Sequence, residues 1–226
     1  MKSPARKHYE QVTAAKAAGA ATPGEQQRGE QYELHAHALY EARRTLKTIK
    51  SIQAKIEKKR ELLPEFMPYI NGVLSEGNGA KDDVLMTMMV WCIDVGDFEK
   101  ALEIGAYAVK HSIDTPDQYE RDTVSILAEE IAEGVKLQLA KENPDADALA
   151  NVMARAVAII GDADMHDEIK AKVHKYYGYA LRAAEDPEGA LDQLKQALSL
   201  NERIGVKQDM QQLERQLKNA GEKANA

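Results

Sequence analysis

The 226-residue sequence is poor in cysteine and in large aromatic residues: it contains one cysteine, Cys92, one Trp and two Phe, and aromatic residues make up 5% of the chain. A single cysteine cannot form an intrachain disulfide, and it cannot supply the several thiolates of a cysteine-based zinc site. This usage is typical of intracellular proteins. So few aromatic residues, together with 44% hydrophobic and 30% charged residues, argue against a β-sandwich and favour packed helices. We therefore predict an all-α protein.

The sequence also lacks long hydrophobic runs and the common catalytic motifs. No stretch approaches the roughly 18 apolar residues of a membrane-spanning helix. Residues 1–19 carry early cations followed by polar residues and Ala, where a signal peptide has an apolar core. We therefore expect neither a signal peptide nor a membrane span. Walker A, Rossmann glycine, serine-elbow and His-Glu-x-x-His motifs are all absent, so no cofactor is predicted.

Charge is distributed unevenly along the chain. Residues 1–63 contain 13 Lys and Arg against 7 Asp and Glu, a net charge of +6, whereas residues 64–226 contain 17 against 30, a net charge of −13. At 100° per residue, a helix through residues 43–60 would place seven cations on one face and apolar residues on the opposite face. These candidate DNA-binding residues are Arg43, Arg44, Lys47, Lys50, Lys55, Lys58 and Lys59.

The function of this cationic face has more than one explanation. The simplest explanation is that the charged face only contacts solvent. Solvent-exposed helix faces normally mix both signs of charge, however, and here Glu57 is the one acidic residue between Arg43 and Arg60. We therefore favour a nucleic-acid-binding face. A membrane surface is the weaker alternative, because the opposite face lacks Trp and Phe anchors.

Residues 1–63 are predicted to form a basic, DNA-binding helical segment. Residues 19–24 collect Gly, Thr and Pro and indicate a hinge after a short first helix. Apolar residues then recur every three or four positions from Tyr32 to Leu63, which predicts one long amphipathic helix. Its heptad spacing would allow a coiled coil with a second copy, and docking of the helix on its own domain is the alternative. The coiled-coil contact would be formed by Leu39, Leu46, Ile49 and Ile56.

The rest of the chain is predicted to be a separate helical body. Residues 64–80 are rich in Pro and Gly and indicate a loop-rich linker, residues 81–220 an acidic α-helical domain for oligomerisation and partner binding, and residues 221–226 a frayed tail. Within this domain, Gly96–Leu102 and Glu185–Leu191 each have an acidic turn followed by Ala-Leu. Such segments are typical of tetratricopeptide-like helical hairpins. The two segments are 89 residues apart, whereas tetratricopeptide repeats recur about every 34 residues. The sequence therefore predicts an irregular set of helical hairpins and not a regular repeat array.

Three residue groups resemble sites but have simpler structural explanations. The acidic segment Asp162–Glu168 could hold Mg²⁺ for phosphodiester cleavage, but a helix cap at Asp164 followed by first-turn acids explains it better. His35 and His37 are two residues apart in a helix and do not face each other, so a two-histidine metal site is not expected. Trp91 and the methionines before it indicate a buried helix and not a ligand pocket.

Ten segments, spread over nearly the whole chain, carry a resemblance to a known family. They are Ser3–His8, Arg44–Lys47, Lys59–Pro64, Asn71–Leu74, Asp82–Thr87, Gly96-Asp97 with Ala101–Ile104, Ala163–Met165, Lys172–Lys175 and Asp186–Leu200. In their order and spacing they resemble the small terminase subunit of temperate tailed double-stranded DNA phages with cohesive ends. That family is commonly named the terminase endonuclease subunit.

The resemblance implies that the protein recognises the cohesive-end site of concatemeric viral DNA and assembles as a ring-like homo-oligomer. It implies delivery of the DNA to the large terminase subunit, whose ATPase packages the genome, in the cytoplasm of the infected bacterial host. The family's endonuclease label brings no catalytic residues that can be matched here, so none is assigned, and Mg²⁺ is expected only if this chain itself cuts DNA. A helical-hairpin adaptor between proteins, with incidental DNA binding, is the alternative function.

Overall fold

The computed structural model describes residues 2–115 and 121–224, and within these ranges every regular element is a helix. A single bridge between Gln26 and Lys81 is the one β-type contact in the same ranges. The prediction of an all-α protein is therefore confirmed. The helices are α1 Pro4–Gly19, α2 Glu30–Thr48, α3 Ile52–Glu76, α4 Asp83–Val95, α5 Phe98–Lys110, α6 Thr123–Leu139, α7 Ala146–Ile160, α8 Asp167–Ala183, α9 Pro187–Leu200 and α10 Lys207–Ala224.

The chain divides into two compact units, unit 1 over Met1–Thr123 and unit 2 over Val124–Ala226. In unit 1, α3 packs on α1, α2 and α4, and α4 packs on α5. In unit 2, α8 packs on α7 and α9, and α9 packs on α10. In the described part of the chain, no helix combines the length and the apolar character needed to cross a bilayer.

Short polar side chains define where several helices begin. Ser3 accepts a hydrogen bond from the backbone N–H of Arg6 at the start of α1, and Ser51 accepts one from Ala54 at the start of α3. Asp97 caps α5 in the same way. Each cap satisfies a backbone donor that the first turn of a helix leaves without a partner.

The long helix predicted between Tyr32 and Leu63 is in fact two helices. α2 ends at Thr48, Ile49 is extended with φ −87° and ψ 125°, and Ser51 caps the new helix α3. Ser and Thr hydroxyls compete with helical hydrogen bonds, and here Thr48 also donates to the carbonyl of Thr45 at 2.7 Å. The three-and-four spacing of apolar residues continues through the break, because α2 and α3 both bury residues in unit 1. This spacing alone therefore did not reveal that the helix is interrupted.

The predicted loop-rich linker over 64–80 is helical as far as Glu76, because α3 continues through Pro64 and Pro68. Each proline removes one backbone donor from the helix. Four apolar side chains on the same stretch are at most 7% exposed, and their burial outweighs that loss. They are Leu63, Phe66, Tyr69 and Ile70. The division of the chain into a DNA-binding segment, a linker and a partner-binding domain remains a prediction, with these corrected helix bounds.

The connection predicted to be a hinge is tied to the loop that follows α3. The N–H of Gly24 donates to the carbonyl of Gly79 at 2.9 Å, and the N–H of Lys81 donates to the carbonyl of Glu25 at 2.8 Å. The N–H of Gln27 returns a bond to the carbonyl of Lys81 at 2.8 Å. These three bonds attach the α1–α2 connection to the loop before α4. The predicted freedom of residues 19–24 is therefore restricted.

In unit 2, α8 and α9 form a close antiparallel-type hairpin around Gly178. A Cβ at Gly178 would lie 2.8 Å from Leu194 Cδ2 and 3.1 Å from the carbonyl oxygen of Ala190. Asp186 caps α9 through the N–H of Gly189 at 2.9 Å. A core cluster of Ala190, Leu191, Leu194, Val206 and Leu213 joins this hairpin to α10. The predicted frayed tail, 221–226, lies within α10 as far as Ala224, and residues 225 and 226 are outside the described residues.

Candidate nucleic-acid interface

The basic segment identified in the sequence extends from the last turns of α2 to the middle of α3, across the break at 49–51. Because the helix is interrupted there, the single helical face calculated from residues 43–60 does not exist as one continuous surface. Lys47 and Lys50 are exposed, and Lys55 is half-buried. These residues lie around the break and not along one helix.

Two of the predicted DNA-binding cations are engaged by residues far away in the chain. Arg43 is half-buried and its guanidinium donates to Thr87 Oγ1 on α4 at 2.7 Å. Lys59 forms an ion pair with Asp94, at the end of α4, and its ammonium lies 5.9 Å from the ring centroid of Trp91. Both side chains therefore attach α2 and α3 to α4.

Three further cations have carboxylate partners one helical turn away. Arg44 pairs with Glu41 at 3.1 Å, and Lys58 pairs with Glu61 at 2.9 Å. Arg60 pairs with Glu57 at 2.6 Å. The expectation that positive charge in this segment goes uncompensated is therefore wrong for these residues. Exposed pairs of this kind contribute little to stability, so their cations can exchange partners at low cost.

Lys47, Lys50 and Lys55 form no ion pair within residues 2–115 and 121–224, and we refer to these three lysines as the basic turn. They fall within nine consecutive residues that include the α2–α3 break. Ser51, Ile52, Gln53 and Ala54, which separate the last two lysines, are all exposed. Within residues 43–60, the unpaired positive charge thus lies on either side of the α2–α3 break.

The apolar residues proposed for a coiled coil are used inside unit 1. Leu39 is 3% exposed and Leu46 is 8% exposed, and Ile49 and Ile56 are half-buried. The apolar helix α4 is also used inside unit 1, because every residue from Val84 to Met89 is at most 1% exposed. Docking of α2 and α3 on their own unit, the alternative considered above, is what the structure shows.

A buried polar cluster lies beneath the same helices. The His35 ring stacks on Tyr69 with centroids 4.7 Å apart, and Tyr69 donates its hydroxyl hydrogen to Asp82 Oδ2 at 2.5 Å. Asp82 also accepts from the N–H of Leu85 at 2.9 Å and thereby caps α4. His35 Nδ1 lies 2.8 Å from the carbonyl oxygen of Gln31. The cluster therefore fixes α2, α3 and α4 relative to one another.

Burial changes the proton affinity of this cluster. Burial lowers the pKa of His35, against the effect of its bond to the Gln31 carbonyl. Burial also raises the pKa of Asp82 to about 6, although the hydrogen bonds from Tyr69 and Leu85 favour the carboxylate. The cluster was not predicted from the sequence, where His35 was considered only as a partner of His37. The available signal was a histidine on the buried row of an amphipathic helix.

The tyrosines of the α8–α9 hairpin are occupied within unit 2. Tyr176 and Tyr179 pack edge to face with centroids 5.9 Å apart, and the Lys175 ammonium lies 6.0 and 5.7 Å from the two ring centroids. Tyr179 donates to Asp209 Oδ2 at 3.0 Å, and Arg182 pairs with the other oxygen of Asp209 at 2.9 Å. These side chains attach α8 to α10.

The acidic segment before α8 does not form a metal site in the part of the chain that the structure describes, where no group of three His, Cys, Asp or Glu side chains is placed to hold an ion. The helix begins later than predicted: its N-cap is His166, without a side-chain bond, so the assignment of Asp164 as the cap is wrong. Asp167 and Glu168 lie in the first turn, as predicted, where carboxylates complement the helix dipole.

Comparison with known proteins gives consistent similarities. A family model described as "Phage small terminase subunit" matches residues 36–168. The "Terminase, endonuclease subunit" of Escherichia phage P2 is 40% identical over 220 residues, which cover 96% of this chain and 87% of that protein. The "Probable terminase, endonuclease subunit" of Haemophilus phage HP1 is 27% identical over 78 residues, which cover 34% of this chain and 28% of that protein. No solved structure matches the chain.

Proposed function

Because the chain belongs to the phage small terminase subunit family, we propose that it binds double-stranded DNA at the cohesive-end site of concatemeric phage genomes. In this proposal it delivers that DNA to the large terminase subunit for packaging, in the cytoplasm of the infected host. The observation that carries the DNA-binding role is the basic turn, in which Lys47, Lys50 and Lys55 lie together without carboxylate partners in the described residues.

The seven predicted DNA-binding residues receive different roles in this proposal. Lys47, Lys50 and Lys55 contact phosphates directly, because no ion pair has to be broken first. Arg44 and Lys58 add contacts by exchanging an exposed carboxylate partner for a phosphate, which charge-assisted hydrogen bonding favours. The remaining two, Arg43 and Lys59, hold α2 and α3 on α4 and position the surface.

The test is a mobility-shift titration of a cohesive-end duplex at several salt concentrations. We expect the triple variant Lys47→Gln, Lys50→Gln, Lys55→Gln to bind more weakly. Three lost phosphate contacts should make the slope of log affinity against log salt shallower by about 2.7. The matched control changes three exposed lysines of unit 2, Lys141, Lys195 and Lys207, to Gln. Equal loss in both triple variants would contradict the assignment of the surface.

The adaptor function remains the second candidate, and the observation that favours it is the acidic surplus of unit 2. Residues 124–226 contain 13 Lys and Arg against 18 Asp and Glu, a net charge of −5. A pull-down with purified large subunit separates the candidates. If the basic-turn variant loses DNA and keeps the large subunit, the two functions coexist on different surfaces. If the wild-type chain binds the large subunit but no duplex even at low salt, the adaptor function replaces our proposal.

The names of both phage relatives include an endonuclease function, so cleavage by this chain needs a direct test. The purified protein is incubated with site-bearing DNA and Mg²⁺ in the absence of the large subunit. We expect intact DNA, with cleavage arising only when the large subunit is added. Site-specific cuts that disappear in an Asp164→Asn variant would instead assign the nuclease to this chain.

A further inference from the structure

The first residue of α3, Ile52, is an apolar side chain in an unusual position. It is 77% exposed, more than any other large hydrophobic residue in the described part of the chain. It follows the break that ends α2, and its neighbours Ser51 and Gln53 are exposed as well. Ile52 therefore lies at the exposed corner where the chain passes from α2 to α3.

Single exposed hydrophobic residues are common on protein surfaces and alone indicate nothing. Ile52 differs because it lies inside the basic turn, with Lys47 and Lys50 before it and Lys55 after it. An exposed apolar group flanked in the chain by unpaired cations is complementary to a polyanion that also has an apolar interior. Duplex DNA has both properties, since its phosphates attract the lysines and its stacked bases provide the apolar environment.

We propose that Ile52 is a wedge that inserts between two stacked base pairs, while the basic turn contacts the phosphates on either side of that step. The proposal rests on the DNA-binding function proposed above and adds the way in which the duplex is held. Side chains such as Ile, Leu and Met that enter a base step unstack it and kink the duplex by roughly 20–90°. Binding by this protein therefore bends DNA, most readily at flexible pyrimidine–purine steps.

A subunit contact through Ile52 is the competing explanation, and charge argues against it. A self-complementary contact at this corner would bring the basic turns of two copies together. Lys50 and Lys55 would then face the same lysines of the second copy, and like charges at short distance repel. DNA removes this repulsion, whereas a second copy would increase it.

The experiment compares wild-type protein with Ile52→Ala on a short duplex that carries 2-aminopurine in TA steps and a dye at each end. Wild-type binding should raise the 2-aminopurine fluorescence, which reports unstacking, and shorten the distance between the dyes. Ile52→Ala should bind with an affinity within about tenfold of wild type, because the lysine contacts remain, and should produce neither change. The control Leu137→Ala, which removes a 63%-exposed residue of unit 2, should behave as wild type.

Each contrary result has a distinct meaning. The wedge is overturned if Ile52→Ala unstacks and bends the duplex as wild type does, or if wild-type protein binds without unstacking; the DNA-binding function survives both results. Failure of wild-type protein to bind any duplex removes the proposed function and the wedge together. Light scattering of the same variants tests the competing explanation of a subunit contact. A lower mass for Ile52→Ala than for wild type, with the same 2-aminopurine fluorescence as wild type, would assign Ile52 to that contact.

Discussion

The contacts from His35 through Tyr69 to Asp82 join three helices of unit 1 through side chains that are at most 2% exposed. Burying polar groups is costly unless each finds a partner, and the Tyr69 hydroxyl supplies one for the Asp82 carboxylate. His35 Nε2 has no hydrogen-bond partner among the described residues. Single substitutions in this cluster should therefore change the free energy of unfolding more than substitutions of exposed residues do.

We expect Tyr69→Phe to lower the free energy of unfolding by about 1–3 kcal/mol, because it leaves a buried carboxylate without one of its donors. Urea denaturation followed by circular dichroism measures the change. The control Tyr40→Phe removes the hydroxyl of a 61%-exposed tyrosine on α2 and should have little effect. Equal effects of the two substitutions would show that the Tyr69–Asp82 bond is not a specific source of stability.

The pH dependence of stability should report His35. Because burial lowers its pKa below the ordinary value of 6.5, the unfolded chain binds more protons here, and this contribution to stability is lost as pH falls below about 6.5. Asp82 acts in the opposite direction. Its pKa rises from 3.8 to about 6 in the folded protein, so its contribution is present at low pH and is lost as pH rises through about 6.

Replacing His35 by Gln removes the histidine's contribution to the pH dependence of stability and retains that of Asp82. The variant should therefore lose less stability than wild type when the pH is lowered from about 7 to about 5. Urea midpoints across this range are the measurement, and His37→Gln, at an exposed position of α2, is the control for loss of one imidazole. A wild-type pH profile in His35→Gln would contradict the prediction.

At the scale of elements, the packing of α1 on α3 depends on one small residue. A Cβ at Gly72 would lie 2.4 Å from the carbonyl oxygen of Gln11 and 2.9 Å from the backbone nitrogen of Ala15. Both atoms belong to the backbone of α1, so no side-chain rotation relieves the overlap. The absence of a side chain at this position therefore sets the distance between the two helices.

Gly72→Ala should destabilise unit 1 by about 1–3 kcal/mol, even though Ala favours helices more than Gly does, because α1 has to move away from α3. Thermal unfolding and hydrogen exchange of the α1 amides should both show the change. Gln53→Ala, at an exposed position in the first turn of α3, is the control. Faster exchange in α1 without faster exchange in α8 would locate the effect at this helix pair.

At the scale of the whole molecule, the DNA surface that we propose for one protomer is small. A protomer offers three unpaired lysines at the basic turn, and non-specific affinities at physiological salt are about 10⁻⁴ to 10⁻⁶ M. Several protomers around one axis would multiply the affinity through effective concentration. The residues first considered for the subunit contact, Leu39 and Leu46, are buried within unit 1, so a ring would need another surface for that contact.

We predict that the protein is a ring-like homo-oligomer. Light scattering coupled to size exclusion at micromolar concentration should therefore give a mass that is a multiple of 25.0 kDa. The oligomer should be retained in the triple basic-turn variant, since those lysines are assigned to DNA and not to subunits. A mass of one chain would contradict the ring.

Local properties of the sequence determined the fold class, several helix starts and the location of the basic segment. Composition alone excluded a β-sandwich, and the cap at Asp97 could be read from a short polar residue before an apolar run. These features depend on residues close together in the chain. They survive in any tertiary arrangement, which is why they could be predicted.

The tertiary structure decided which cations are available and where α3 ends. Lys59 meets Asp94, which lies 35 positions away, and Arg43 meets Thr87, which lies 44 positions away. The helix continues past Pro64 because the residues after it are buried against other helices of unit 1. A local pattern contains no information on partners so distant in sequence, because packing brings them together only when the chain folds. For this reason, only the tertiary structure separated the three lysines of the basic turn from the other cations of residues 43–60.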